Sequence, residues 1–562
     1  MRNIVVFALI LISSILSSQT FTEIEAGLHG IEFSSVDWGD YDNDGDLDIL
    51  LSGQDNSHIG ITKIYRNDSG NFTDINAGLI GLKHASCTWG DYDNDGNLDI
   101  LMSGLNNSSA GITKIYRNDS GSFTDINAGL VGLSLYPACA WGDYDNDGDI
   151  DILLVGSYIS RIYQNDSGSF TDINAGLIGL CDALCDWGDY DNDGDLDIII
   201  SGRDNTSNGI VKIYRNDSGS FTDINADLHD AETGSVLWSD FNNDGYLDIL
   251  ITGYNRTNDI PISIIYKNIA GNFIESNAGL LGLDYSYACA GDYDNDGDTD
   301  IIITGTNDWS NPISIIYNNN LDSFEIDTTI TGVQIGCVEW GDYDSDGDLD
   351  ILLSGDDDSN PITKIFRNDS ISANSIPNTP TGLNAFIDST SVNLIWSKAT
   401  DFETPQDGLS YNFYVGTESG KSDIMSPMSD ISTGCRKIVN IGNAQKNTTW
   451  AIKNLESGTY YWSVQAIDQG YSGSVFADEQ CFTIGSLISP CNVKTNLSGN
   501  NITITWPEVF GATSYKVYAS DDPYLEFIDV SAEGTFNGCN WSAQTDIYRM
   551  RFYYVVAVDT KK

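Results

Sequence analysis

An all-β chain, a seven-bladed β-propeller followed by two β-sandwich domains, is predicted by three features of the sequence. An aspartate-rich nonapeptide, D-x-[DN]-x-D-G-x-x-D, occurs seven times, beginning at Asp40, Asp91, Asp143, Asp189, Asp240, Asp292 and Asp342. Each copy runs into a short apolar segment of β character, and a period of about fifty residues is that of propeller blades. Beyond residue 381 the period stops and alternating strands replace it.

The second unit represents the repeat. Residues 85–90 read as a strand, 91–99 as a loop, and 98–104, 111–118 and 122–130 as three more strands. Leu98-Asp99-Ile100-Leu101-Met102 is nearly continuously apolar, as expected of a strand covered on both faces. Tyr-Arg-Asn-Asp-Ser-Gly then supplies a hairpin turn before the fourth strand. Four strands in each of seven units describe a propeller. Its closure is predicted by an offset: Phe21 to Leu28 matches the fourth strand of later units, whereas the last unit stops after its third strand, 362–368. The N-terminal strand is therefore expected to complete the last blade.

Residues 1–18, with Arg2 and an apolar run from Ile4 to Leu16, read as a secretory signal peptide. The propeller then spans 19–370. A linker at 371–381 contains Pro377 and Pro380, and sandwich domains follow at 382–486 and 487–562, the second ending before its last strand. Residues 392–396, 411–415 and 460–467 are the alternating strands; in the last, Tyr460, Trp462, Val464 and Ala466 share one face.

The 82 acidic against 26 basic residues give a net charge of -56, which excludes nucleic acid and anionic membrane as partners and favours cations. A hard cation takes six to eight oxygens, and alternate residues of a tight loop converge on one point. In the first copy Asp40, Asp42 and Asp44 supply side-chain oxygens, Gly45 permits the turn, Asp46 offers its backbone carbonyl and Asp48 closes the shell. The same positions are Asp91, Asp93, Asp95, Asn97 and Asp99 in the second loop, and Asp143, Asp145, Asp147, Asp149 and Asp151 in the third. They are Asp189, Asp191, Asp193, Asp195 and Asp197 in the fourth, and Asp240, Asn242, Asp244, Tyr246 and Asp248 in the fifth. The sixth has Asp292, Asp294, Asp296, Asp298 and Asp300; the seventh has Asp342, Asp344, Asp346, Asp348 and Asp350. Up to seven Ca2+ ions are expected, one per blade, with the fifth site weakest because it lacks the acid at Asn242. An EF-hand is excluded: it needs a Glu at loop position 12, which is Leu51 here, and flanking helices.

Five of the ten cysteines, Cys87, Cys139, Cys185, Cys289 and Cys337, recur near one repeat position where Val36 and Val236 also stand, and are expected to be reduced and buried. Cys435 with Cys481, and Cys491 with Cys539, each fall inside one sandwich domain, where pairing and free thiols both remain open.

Trp-Gly-Asp-Tyr-Asp-Asn-Asp-Gly-Asp-Leu-Asp, Trp38 to Asp48, resembles the FG-GAP or VCBS repeats of bacterial surface proteins and of the integrin α-subunit propeller. The resemblance covers residues 20–370. It implies calcium loops between first and second strands on one face and ligands on the opposite face. The Gly-Ala-Pro half of the integrin motif is absent, so no integrin-like ligand or partner subunit is implied. The downstream stretch resembles a fibronectin type III domain, with Trp396 in the second strand and Leu455…Gly458-Thr459-Tyr460 like that family's corner. A second such stretch contains Trp506, 515–518 and 553–558.

The strand-two to strand-three connections are the variable parts of the repeats and would share the face opposite the loops. Tyr136, Tyr254, Tyr285 and Trp309 lie in variable segments and are the candidate ligand contacts. No catalytic residue is indicated: His29, His58, His84 and His229 follow no triad or metal spacing, and the paired carboxylates belong to the cation loops. The expected protein is a secreted or cell-surface, non-enzymatic, calcium-binding adhesion or recognition molecule with an extracellular protein or glycan partner. A component of polysaccharide degradation and a structural stalk are the alternatives. No transmembrane span is expected, and attachment to a surface would pass through a region beyond Lys562.

Overall fold

The computed structural model describes residues 21–307, 311–320, 323–370, 374–388, 390–484, 493–507, 512, 514–522, 527–544 and 551–558. The segments expected to be a signal peptide and the start of the linker, with Trp309 and Cys491, lie outside these residues. The chain divides into two compact units. One comprises Met1–Asn384, Leu394–Ala451 and Tyr461–Gln480; the other comprises Ala385–Asn393, Ile452–Tyr460 and Cys481–Lys562.

The first unit is dominated by repeated four-stranded antiparallel sheets, an arrangement consistent with a propeller. Their inner strands are Glu32–Gly39, Leu82–Gly90, Ala138–Gly142, Cys181–Gly188, Val236–Ser239, Asp284–Gly291 and Gln334–Gly341. We number the sheets by these strands. Sheets 1 and 2 are joined by a single pair, Ile61 with Leu82. Each inner strand lies against that of the next sheet, and that of sheet 7 against that of sheet 1. Sheet 7 takes its fourth strand from the chain start: Phe21–Ile24 pairs antiparallel with Ile365 to Asn368. The second strands, such as Asp48–Gln54 and Asp300–Thr306, are buried along their whole length, which explains their unbroken apolar sequence. The fourth strand is shorter than the sequence pattern predicts. Ser122–Asp125 ends where the Asp125 carboxylate accepts the Asn127 N–H (2.9 Å), turning Asn127 to φ +54°.

Neighbouring sheets interlock through two repeated contacts. The tryptophan ending one inner strand stacks on the loop tyrosine of the preceding sheet, as in Tyr41–Trp89, Tyr92–Trp141 and Tyr144–Trp187, and Tyr343–Trp38 joins sheets 7 and 1. A Cβ on Gly90 would stand 2.5 Å from Trp141, and Gly39, Gly142, Gly188 and Gly341 make room for the next tryptophan in the same way. The second contact is an asparagine at the end of each third strand. Asn118 Nδ2 donates to Tyr41 O of the preceding loop (2.8 Å) and to Leu98 O of its own (3.1 Å), while its Oδ1 accepts Gly121 N–H. Asn67, Asn165, Asn216, Asn268, Asn319 and Asn368 repeat the cross-sheet bond, and Asn67 reaches Tyr343 of sheet 7.

Between the inner strands of sheets 6 and 7 lies a buried polar group. The Glu339 carboxyl meets Tyr287 Oη (3.3 Å) and Cys289 Sγ (3.2 Å). Burial, with the Asp37 charge adding to it, pushes Glu339 up to about 8. Cys87, Cys139, Cys185, Cys289 and Cys337 are free thiols, buried or half-buried, among these strands; Cys435, Cys481 and Cys539 are free as well.

Residues of the following segment that belong to the first unit pair Ser410 with Ile467 through Gly416 with Tyr461 and bury Tyr411, Phe413, Trp462 and Val464. In the second unit Tyr460 Oη donates to Glu456 O (2.9 Å). Two sheets of that unit, built on Asn501–Thr505 and on Ser514–Ser520, enclose Ile504, Trp506, Val517, Trp541 and Val555. No α-helix is present among the described residues, and none there is long and apolar enough to cross a membrane.

Two predictions follow from this packing. Asn118→Ala leaves the Tyr41 and Leu98 carbonyls unpaired in a dry interior and is expected to destabilise the unit by about 2–4 kcal/mol in denaturant unfolding; a loss under about 0.5 kcal/mol would refute the tie. Glu339 has a folded pKa above its unfolded value, so its contribution is fully present below about pH 4.5 and is lost as pH rises through about 8. Glu339→Gln is therefore expected to raise Tm by a few degrees at about pH 8 and to match the parent near pH 4; equal melting at both pH values argues against the charge cost.

Candidate functional site: the acidic loops and the axial cavity

Each nonapeptide turns between a first and a second strand because its first aspartate gathers the loop's own amides. Asp40 Oδ1 accepts Asp44 N–H (3.0 Å) and Oδ2 accepts Gly45 N–H (3.1 Å), and Gly45 sits at φ +96°. The same pair of bonds recurs on Asp91, Asp143, Asp189, Asp240, Asp292 and Asp342. The ninth residues, Asp48, Asp99, Asp151, Asp197, Asp248, Asp300 and Asp350, are fully buried. Asp99 Oδ1 accepts Asn118 N–H at 2.7 Å, so the loop and the cross-sheet asparagine are one hydrogen-bonded unit.

Three carboxylates of a loop converge: Asp40, Asp42 and Asp48 offer oxygens within 4.8 Å of one another. So do Asp91, Asp93 and Asp99; Asp143, Asp145 and Asp151; Asp189, Asp191 and Asp197; and Asp292, Asp294 and Asp296. The third position carries the sign of an absent partner. Oδ1 of Asp42, Asp93, Asp191, Asp294 and Asp344 is buried without a hydrogen bond, an arrangement costly for a carboxylate unless a cation meets it. Burial, reinforced by neighbouring loop carboxylates, pushes Asp48 up to about 8 and Asp99, Asp197 and Asp350 to about 9. The residues thus fit a metal ion, and an all-oxygen donor set suits a hard one. Fifth-position residues, such as Asp44 and Asp95, stand at the exposed rim. Seventh-position side chains turn to other partners: Asp46 Oδ2 accepts Ser69 N–H (2.9 Å), and Asp149 accepts both Ser167 N–H (2.8 Å) and Asn94 Nδ2 (3.1 Å). Only their backbone carbonyls remain for an ion.

The fifth loop departs from this pattern. Asn242 Oδ1 accepts Asp244 N–H and its Nδ2 donates to Asp244 Oδ2, so its amide satisfies itself within the loop. Lys446 Nζ stands 3.5 Å from Asp240 Oδ2 with both side chains buried, bringing a fixed positive charge to the first-position carboxylate. Other loops meet the same following segment. Asn447 Nδ2 donates to Asp189 Oδ2 (2.7 Å), Ser426 N–H to Asn94 Oδ1 (2.8 Å), Asp40 N–H to Lys437 O (2.9 Å) and Asp292 N–H to Gln469 O (3.0 Å). The sequence carries no local sign of these contacts.

A cavity of about 620 Å³ opens among the starts of the inner strands. Tyr136, Tyr254 and Tyr285 line it, together with residues that the sequence reading passed over: Phe33, His84, Asp182, Thr233 and Ile335. The rings of Phe33, His84 and Tyr136 form one wall, with centroids 4.2–5.5 Å apart. Burial keeps His84 neutral down to about 4. The other wall is polar: Arg203 pairs with Asp182 (2.5 Å), Arg256 with Glu232, and the Thr233 hydroxyl with Asp284. His29, His58 and His229 lie elsewhere; the His229 ring meets Tyr266 Oη (2.6 Å).

The FG-GAP-like repeat model matches residues 40–102, 143–200, 189–251, 240–303 and 292–353, each match running from one acidic loop toward or into the next repeat's span. No curated protein matches the chain. Among solved structures, a lectin of Agrocybe aegerita that recognises non-reducing terminal N-acetylglucosamine is similar at 15% identity and a TM-score of 0.36, over 54% of this chain and 81% of the lectin. The extracellular domain of a protein described as a hybrid two-component system from B. thetaiotaomicron is similar at 14% identity and a TM-score of 0.37, over 83% of this chain. The match spans 57% of that domain. Neither likeness bears on this chain's ligand.

Removal of divalent ions with a chelator is expected to lower Tm, and ion titration to show one site weaker than the rest, tightened by Asn242→Asp. An unchanged melting curve in chelator would overturn metal-filled loops, and an unchanged weakest site in the variant would clear Asn242 of blame.

Proposed function

We propose that the chain is an exported, non-catalytic recognition protein: a closed, seven-bladed propeller stabilised by Ca2+ in its loops, which binds an extracellular partner at the opposite end of its axis. The observation that carries this reading is the cavity whose lining residues differ from sheet to sheet while the loops, tryptophans and asparagines around them repeat. A scaffold kept constant around a divergent concavity is the form of a binding platform. Calcium is the ion favoured by seven oxygen-only loops, and its role is structural, since the loops brace sheet against sheet. The two segments after the propeller are read as fibronectin type III-like attachment modules, a reading supported by Trp396, Trp506 and the Tyr460–Glu456 bond. Catalysis lacks support, because the paired carboxylates are committed to the loops and the cavity acids to arginine and threonine partners.

Glycan-array and protein-binding measurements on the calcium-loaded chain, run beside a polysaccharide-depolymerisation assay, test the proposal. Binding without turnover is expected. New reducing or unsaturated ends would instead make it a degradative component, and absence of any ligand would make it a structural stalk.

A further inference from the structure

We infer that the axial cavity is a saccharide site, built to take the end or a side branch of a neutral glycan between its aromatic and polar walls; this rests on the binding-platform reading above. The site is assembled by one backbone device used in every sheet. Five residues before the tryptophan position stand Phe33, His84, Tyr136, Asp182, Thr233, Tyr285 and Ile335, all left-handed, with φ between 45° and 56°. In sheets 1, 2, 4, 6 and 7 the pairing register of first and second strands shifts just there. In those five sheets the shift marks a bulge, and in all seven the left-handed residue lines the cavity.

Glycine would meet that backbone demand without strain, yet none of the seven is glycine, and Thr233 and Ile335 are β-branched, for which positive φ is a true outlier. Strain of about 1 kcal/mol or more at each position is thus retained where the side chains are presented. The side chains are also nearly all different, in contrast with the tryptophan and loop positions beside them.

The chemistry of the two walls selects the ligand. A sugar ring has an apolar C–H face, which the Phe33–His84–Tyr136 wall fits, and a rim of hydroxyls that both donate and accept. Opposite stand fixed acceptors on Asp182, Glu232 and Asp284 and fixed donors on Arg203 and Arg256. Three polar atoms of the lining lack hydrogen bonds: Glu232 Oε2, on a residue 4% exposed, Arg203 Nε and, in the aromatic wall, His84 Nδ1. Each is a place for a ligand hydroxyl. The lining acids Asp182, Glu232, Asp259 and Asp284 outnumber Arg203 and Arg256, which disfavours uronate or sulfated chains. Half-buried Tyr287 and buried Cys139 form part of the lining, and Tyr471 Oη donates to Ala290 O (2.6 Å). The volume, about 620 Å³, lies in the range of small-ligand sites.

The test is calorimetric titration of the calcium-loaded chain with neutral tetrasaccharides of glucose, mannose, galactose and N-acetylglucosamine, beside an oligouronate of equal length. A neutral tetrasaccharide is expected to bind, with affinity reduced at least tenfold in Tyr136→Ala and in the isosteric Glu232→Gln while Tm stays unchanged. Binding undiminished in both variants would move the site off the axis and overturn the inference. Oligouronate binding alone would overturn the ligand class yet leave the binding platform standing. If no saccharide binds but a purified extracellular protein does, the inference falls and the platform survives; if neither binds, both fall.

Discussion

The structure depends on a single hydrogen-bonded unit, the ninth aspartate of each loop joined to the asparagine at the end of the third strand. Asp99 accepts the Asn118 amide; Asn118 in turn holds its own loop through Leu98, its own hairpin through Gly121 and the preceding loop through Tyr41. Three pieces of chain, distant in sequence, therefore share one fully buried side chain. A divalent ion held in the loop would add to this unit by neutralising carboxylates that burial and mutual repulsion drive toward protonation. Because the bond crosses from each sheet to the one before it, and from sheet 1 to sheet 7, local loop geometry becomes a constraint on the whole ring of sheets.

Much of this was readable from the nonapeptide alone. Its period placed the loops, the apolar run after it placed a doubly covered strand, and the unmatched Phe21–Ile24 segment predicted the pairing with Ile365 to Asn368. The asparagines were read only as turn formers, since the cross-sheet bond of Asn118 spans 77 residues and leaves no local trace. Lys446 was invisible for the same reason: its partner Asp240 lies 206 positions earlier, and nothing in the lysine's neighbourhood marks it as buried. Aromatic character picked out Tyr136, Tyr254 and Tyr285, yet their companions in the cavity include a phenylalanine, a histidine, an aspartate and a threonine that no residue-type rule collects. Alignment of the repeats on their tryptophans would have collected them, because the position five residues earlier is where neighbouring repeats disagree.

The two ends of the unit carry different constraints. At the loop end, residues 424–471 hydrogen-bond to five of the acidic loops, so variation there is limited by docking as well as by the loops' own hydrogen bonds. The fifth loop illustrates the compromise. Its Asn242 gives up a carboxylate and Lys446 stands against Asp240, so that docking would take over there part of what a bound ion would do. A buried lysine beside a single carboxylate is stabilising only while the partner remains ionised, which ties this contact to the integrity of the loop.

At the other end the same left-handed backbone is repeated with residues that differ in most of the sheets. The repeated periphery makes such divergence tolerable: asparagine ties in every sheet, and tryptophan stacking in most, hold the sheets together away from these positions. Left-handed backbone at these positions has a local cost, and a chain under selection for stability alone would replace Thr233 and Ile335 with glycine. Their retention places local backbone strain around a cavity whose polar atoms on Glu232 and His84 have no hydrogen bond, in contrast to the acidic loops, where glycine takes a left-handed position.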